Sequence, residues 1–214
     1  MKTAFLFPGQ GAQTVGMGAD IAHSFHAAAL VYQKANDIVG YELSRICFEG
    51  QPEKLNSTTI SQPAIFVTSA ALLEVFRTNP ETKKIVPNIT AGLSLGEYTA
   101  LYAAGAISFE DALVLVKKRG RAMQEAADAT EGAMVSIIGL DEEKVQQLCD
   151  QASQGELLIP VNFNCPGQIV VSGTKTACRR AAELAEKFGA MKAVPLEVAG
   201  AFHTEMMSSA AEAL

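Results

Sequence analysis

Residues 89–101 read ITAGLSLGEYTAL, and no other stretch restricts the fold as strongly. A short apolar run meets Gly92, Ser94 and Gly96 at G-x-S-x-G spacing and then continues into a helix-forming run. Apolar strands followed at once by helices belong to layered α/β architectures. Paired glycines allow a sharp strand-to-helix turn with the serine at its tip, beside the N–H groups and positive dipole end of the helix. That context suits a nucleophile. It also suits a tight structural turn, and the motif alone leaves both readings open.

The pattern repeats on either side. TAFLF (3–7) is an apolar run closed by Pro8-Gly9 and is expected to be a buried strand. Helical spacing follows through about residue 39. SQPAIFVTSAALLEVFR (61–77) has helical spacing with Pro63 near its start, where proline is tolerated. NITAGLS (88–94) is a second expected buried strand, and LGEYTALYAAG a helix ending at Gly105. Ser108 and Asp111 form a cap for a helix over 109–127.

After residue 130 the rhythm changes. Strands are expected at 132–140, 156–164, 168–174 and 191–198, with helices at 141–152 and 175–189. This is β-α-β-β-α-β, the ferredoxin-like order. The expected division is an α/β body of residues 1–128 plus 200–214, and a small domain of residues 129–199. GAFHTEMMSSAAEAL (200–214) opens a helix without a stop signal, so the chain is expected to continue beyond it.

Bulk properties exclude several classes. The formal net charge of −6 argues against general nucleic-acid binding. No apolar run reaches the ~18 residues of a membrane span, and Pro8-Gly9 cuts the first run below signal-peptide length. A cytoplasmic protein is expected. Cys47, Cys149, Cys165 and Cys178 show no C-x-x-C pairing, and three histidines form no metal-binding cluster, so no metal is expected. The loop FPGQGAQ (7–13) fails G-x-G-x-x-G because position 14 is threonine. Its backbone N–H groups are better used facing the serine than binding a nucleotide.

A serine hydroxyl needs a base and oxyanion donors. His23 and His26 lie in an alanine-rich helical stretch and are expected to be structural. His203 follows AGAF, whose small residues let the chain approach a neighbour closely, and it is the candidate base or a structural histidine. Arg119 shares a helical stripe with Ala112, Val116 and Met123, while Lys117, Lys118 and Arg121 point elsewhere. A guanidinium on an apolar stripe needs a partner. Either an internal carboxylate or a substrate carboxylate held bidentately would serve.

Six segments then combine: FPGQGAQTVGMG, ISQPAIF, GLSLGEYTAL, KRGRAMQEA, NFNCPGQIVVSG and GAFHTEMM. Their order and spacing across the whole chain resemble the malonyl-CoA:acyl carrier protein transacylases, including polyketide synthase acyltransferase domains. The resemblance implies an α/β-hydrolase-like body with an inserted ferredoxin-like small domain. It implies Ser94 as the malonylated nucleophile, His203 as its base and Arg119 as the partner of the malonyl carboxylate. Gln10 and Leu95 match backbone oxyanion donors, Gln62 and Asn164 match cleft-lining polar residues, and Phe202 matches the position that goes with malonyl rather than methylmalonyl units. The implied partners are malonyl-CoA as substrate and acyl carrier protein, with no cofactor, no nucleic acid, no membrane and a monomeric state. Lys175, Arg179, Arg180 and Lys187 are the candidate basic patch for an acidic carrier protein. The family usually carries histidine before the nucleophile, where this chain has Leu93. A serine hydrolase or thioesterase, and an inactive carrier-binding scaffold, are the competing functions.

Overall fold

The computed structural model describes residues 2–214. The chain forms two compact units, the first ending at Arg121 and the second running from Ala122 to Leu214.

The first unit begins with β1 (Ala4–Phe7), followed by α1 (Ala19–Ser24), α2 (His26–Val39), α3 (Leu43–Glu49), α4 (Pro52–Asn56) and α5 (Thr58–Thr78). Then come β2 (Ile89–Gly92), α6 (Gly96–Ala103) and α7 (Phe109–Asp128), the last of which continues into the second unit. β1 and β2 pair in parallel, Ala4 opposite Ile89 and Phe7 opposite Gly92. The core lies among the helices, where Ala28, Tyr32, Phe66, Val67, Ala70 and Leu113 are buried. Small residues on α2 and α5 bring those helices together, and Phe66 stacks on Phe109 with centroids 5.6 Å apart.

Three expectations need correcting. β1 and β2 are not buried strands: their residues alternate between exposed and half-buried, and Leu6 and Ile89 are 76% and 64% exposed. A two-stranded sheet has two faces. One packs on α5 through the edge-to-face contact of Phe5 with Phe76, and the other carries apolar side chains outward. α5 starts at Thr58 rather than residue 61, which leaves Pro63 inside the helix. Thr58–Ile60 simply extend the same helix, since Ile60 and Ser61 both donate to the Ser57 carbonyl. α5 is also, among the described residues, long and apolar enough by length and composition to cross a bilayer. Most of its apolar stretch (61%) is buried within the protein, as in a core helix.

The second unit contains β3 (Gly132–Ile138), α8 (Glu142–Ser153), β4 (Leu158–Cys165), β5 (Gln168–Thr174), α9 (Lys175–Leu184), β6 (Lys192–Pro195) and α10 (Ser208–Ala213). The four strands form an antiparallel sheet in the order β4-β5-β3-β6. Alternating side chains feed two clusters, as the two-residue strand period requires. Val135, Ile137, Ile169 and Val171 pack with α8 and α9. Met134 and Val170 pack with Ala122, Met123, Ala126 and Ala127 of α7 and with Phe202, Met207 and Ala210. Both faces are covered, which explains why GAMVSII and QIVVSGT read as nearly continuous apolar runs. Helix starts follow local chemistry: Asp141 Oδ1 accepts from the Lys144 N–H, and Thr174 Oγ1 from the Ala177 N–H.

Candidate active site

Ser94 sits where β2 turns into α6, and the turn is built from close backbone contacts. A Cβ on Gly92 would lie 2.0 Å from the Gly96 carbonyl carbon and oxygen, and one on Gly96 would lie 2.3 Å from the Phe7 carbonyl oxygen. Only glycine fits either place. The Gly96 N–H donates to the Leu93 carbonyl (2.8 Å), closing the turn around the serine. Ser94 is thereby forced to φ +51°. Non-glycine residues rarely adopt that region, and where they do the strain is often part of a functional site. Among the described residues only Gln154 and His203 share it.

The first loop approaches the same turn. A Cβ on Gly9 would lie 2.7 Å from the Leu93 carbonyl oxygen. Because Phe7 pairs with Gly92 in parallel register, Gln10 and Leu95 each follow three residues after partnered positions at one end of the sheet. Leu95 is almost fully buried and Gln10 half-buried. The loop is held by the Gln13 side chain, which accepts from the Gly11 N–H and donates to Asn56 Oδ1.

Arg119 lies on the stripe expected of it. Ala112, Val116 and Met123 are buried, and Lys117, Lys118 and Arg121 are exposed. Its guanidinium reaches the turn: Nη2 donates to Ser94 Oγ at 2.8 Å, and Nη1 donates to Gln62 Oε1 at 2.7 Å. Gln62 is fully buried on α5. Both hydrogen-bonding partners of the guanidinium are neutral. Burial pulls the Arg119 pKa below its usual value, while Tyr98 and Glu97 act the other way. Arginine stays charged through such shifts. The result is a half-buried positive fork beside a strained serine, with one prong on the serine oxygen itself.

The other candidates belong to the second unit. His203 is exposed at a turn tip with φ +63°. Ser172 Oγ donates to the Phe202 carbonyl (2.8 Å), and Thr204 Oγ1 donates to the Ala201 carbonyl (2.7 Å). The close approach expected of AGAF is present: a Cβ on Gly200 would lie 2.7 Å from Ala127 Cβ. Phe202 is buried against α7 residues and Met134. Asn164 is exposed at a register shift of β4, between Phe163 opposite Ile169 and Cys165 opposite Gln168. Bulges re-aim side chains in this way.

Within the basic patch, Arg180 needs correcting. Its Nε and Nη2 donate to the Ala152 and Ser153 carbonyls, and Nη2 pairs with Glu156 at 2.8 Å. It fastens α9 to the end of α8. Lys175, Arg179 and Lys187 are exposed. Sequence reasoning also missed Tyr98, whose ring centroid lies 5.7 Å from Arg119 Cζ. Its spacing from Ser94 places it on the first turn of α6, and that signal was available.

Comparison with known proteins fits this picture. The acyl transferase domain family matches residues 4–214. The chain is 49% identical over 214 residues to the malonyl CoA-acyl carrier protein transacylase of Bacillus subtilis, covering 100% of this chain and 66% of that protein. It is 45% identical over 214 residues to the enzyme of that name from Haemophilus influenzae, covering 100% of this chain and 68% of that protein. The chain thus spans about two thirds of the length of these curated relatives. Among solved structures, it matches a malonyl-transacylase in complex with its type II PKS acyl-carrier protein. The TM-score is 0.92 and the identity 42%, over 99% of this chain and 68% of that one. The chain belongs to the acyl transferase domain family, among the malonyl CoA-acyl carrier protein transacylases.

Proposed function

We propose that the protein transfers a malonyl group from malonyl-CoA to the phosphopantetheine thiol of an acyl carrier protein through a malonyl-serine intermediate. The observation that carries this reading is the Arg119 fork at 2.8 Å from Ser94 Oγ. A fixed positive charge there selects an acyl group that itself ends in a carboxylate.

His203, assigned by the family resemblance, takes the Ser94 proton as Oγ attacks the thioester carbonyl. The developing oxyanion is met by the N–H groups of Gln10 and Leu95. Collapse expels the coenzyme A thiolate, which leaves with the proton from His203. The carrier thiol then attacks the malonyl ester and regenerates Ser94. Thioester-to-ester-to-thioester exchange changes no oxidation state and calls for no cofactor. Arg119 exchanges its Ser94 contact for the malonyl carboxylate while keeping Gln62. Asn164 lines the cleft, and Phe202 restricts the site to the unbranched malonyl unit.

The fold reading that accompanies this function is an α/β-hydrolase-like body, residues 1–128 plus 200–214, with residues 129–199 as an inserted ferredoxin-like domain. The β-α-β-β-α-β order of the second unit supports the insert. A relative solved with its acyl-carrier protein supports that partner. Lys175, Arg179 and Lys187 form the docking patch. The protein acts as a cytoplasmic monomer.

Intact-protein mass spectrometry after incubation with malonyl-CoA tests the reading. One malonyl adduct, absent in Ser94→Ala and discharged onto carrier protein, is the expected result. An adduct that water removes as fast as carrier protein does would make the protein a hydrolase. No adduct on folded protein would make it a scaffold.

A further inference from the structure

Two hydrogen bonds in the plane of the Arg119 guanidinium fix how its fork rotates within that plane. They do not fix how the plane tilts. Tyr98 supplies that restraint, because its ring lies 5.7 Å from Arg119 Cζ, within the range of a cation–π contact. The ring is well placed to be rigid. Tyr98 is half-buried against the core of the first unit, and its N–H donates to the Leu95 carbonyl at 3.1 Å. It therefore rides on the same first turn of α6 that follows Ser94, and the serine and the arginine's support move as one piece.

The ring contact also uses none of the N–H groups that the fork offers to an acceptor. A carboxylate entering the fork displaces Ser94 Oγ and so removes one in-plane restraint, whereas the ring contact needs no exchange. We propose that Tyr98 is a positioning residue, whose ring holds the Arg119 fork so that a bound acyl carboxylate presents its thioester carbonyl to Ser94. It thereby sets selectivity for carboxyl-bearing over uncarboxylated acyl thioesters. The proposal rests on the reading of Arg119 as the carboxylate site.

The test compares loading of Ser94 from malonyl-CoA and from acetyl-CoA in the full chain and in Tyr98→Leu, Tyr98→Phe and Arg119→Ala. Tyr98→Leu is expected to lower the malonyl-to-acetyl ratio of kcat/KM about fivefold, mostly through the KM for malonyl-CoA. Tyr98→Phe, which keeps the ring, is expected to retain the ratio. Equal losses for both substrates in Tyr98→Leu would make Tyr98 structural and overturn the proposal, as would a ratio in Tyr98→Phe as low as in Tyr98→Leu. Thermal melts establish that the variants fold, and Tyr98→Met replaces the leucine variant if that one does not. Arg119→Ala separates the two ideas. If it leaves the ratio unchanged, the carboxylate reading fails and takes the proposal with it. If it collapses the ratio while Tyr98→Leu does not, the proposal alone fails.

Discussion

The hydrogen bond from Arg119 Nη1 to Gln62 Oε1 can be isolated by a double-mutant cycle. Gln62 is fully buried, so Gln62→Met keeps the volume and removes the acceptor. A hydrogen bond to a charged group contributes about 1.5–3 kcal/mol. Arg119 is only half-buried, so water partly replaces the lost acceptor and the coupling should fall near the lower limit. We expect a coupling of about 1.5 kcal/mol between Gln62→Met and Arg119→Met. For a chain of this size each kcal/mol shifts the melting temperature by about 2–4 °C, so the coupling alone corresponds to about 3–6 °C. Gln62 makes a further interaction, so its single variant should lose more than the coupling energy. The cycle removes that extra loss because it is common to both arms. Urea unfolding of wild type, both single variants and the double variant provides the measurement. If the two losses add to within about 0.5 kcal/mol, the pair is not coupled, and Gln62 does not hold the arginine.

Three shorter tests address other parts of the structure. Gly96→Ala drives a methyl to 2.3 Å from the Phe7 carbonyl oxygen, a rigid backbone atom, so it should cost more than about 3 kcal/mol; a melting temperature within about 2 °C of wild type would refute the turn geometry. Burial pushes the thiols of Cys47 and Cys149 to about 12 and that of Cys178 to about 11, whereas Cys165 is exposed. A chromogenic disulfide reagent at about pH 8 should therefore find one fast thiol in native protein and the rest only in denaturant. Hydrogen bonds from Thr174 and Arg180 hold the Glu156 carboxyl below its usual range. Its stabilisation is thus present above the unfolded-state value and lost as pH falls through the folded-state value. Glu156→Gln should destabilise at about pH 7 and match wild type near about pH 3; an equal loss at both would show that ionisation is not involved.

Local chemistry made much of the fold legible. The second unit's strands and helices fall within a few residues of their expected places, because period-two alternation and polar caps act over short distances. Ser108 and Asp111 bond each other as their spacing suggests, with the Asp111 N–H and Ser108 Oγ 3.1 Å apart. What failed depended on partners distant in sequence. Among the described residues β1 and β2 pair only with each other, and an apolar run cannot report what lies against a strand. Arg180 reads in the sequence as one member of a basic patch, and only the fold brings the end of α8 within reach of its fork.

The same distinction applies to the site. G-x-S-x-G was legible because glycine is required wherever backbones meet at 2.0–2.3 Å from an added Cβ. The positive φ of Ser94 and His203 was not, since neither residue type announces it. Leu93 shows what this means for a departure from the family pattern. Its backbone does the structural work: its N–H points to the Phe7 carbonyl at 3.4 Å, and its carbonyl accepts from Gly96. The residue is 51% exposed, and the bonds it makes in the turn are those of its backbone. Exchanging that side chain leaves the elbow's geometry to the glycines on either side. Ser94 Oγ accepts from Arg119, which also donates to Gln62, and neither bond involves the Leu93 side chain. The strained conformation of Ser94 therefore does not depend on which side chain stands at position 93.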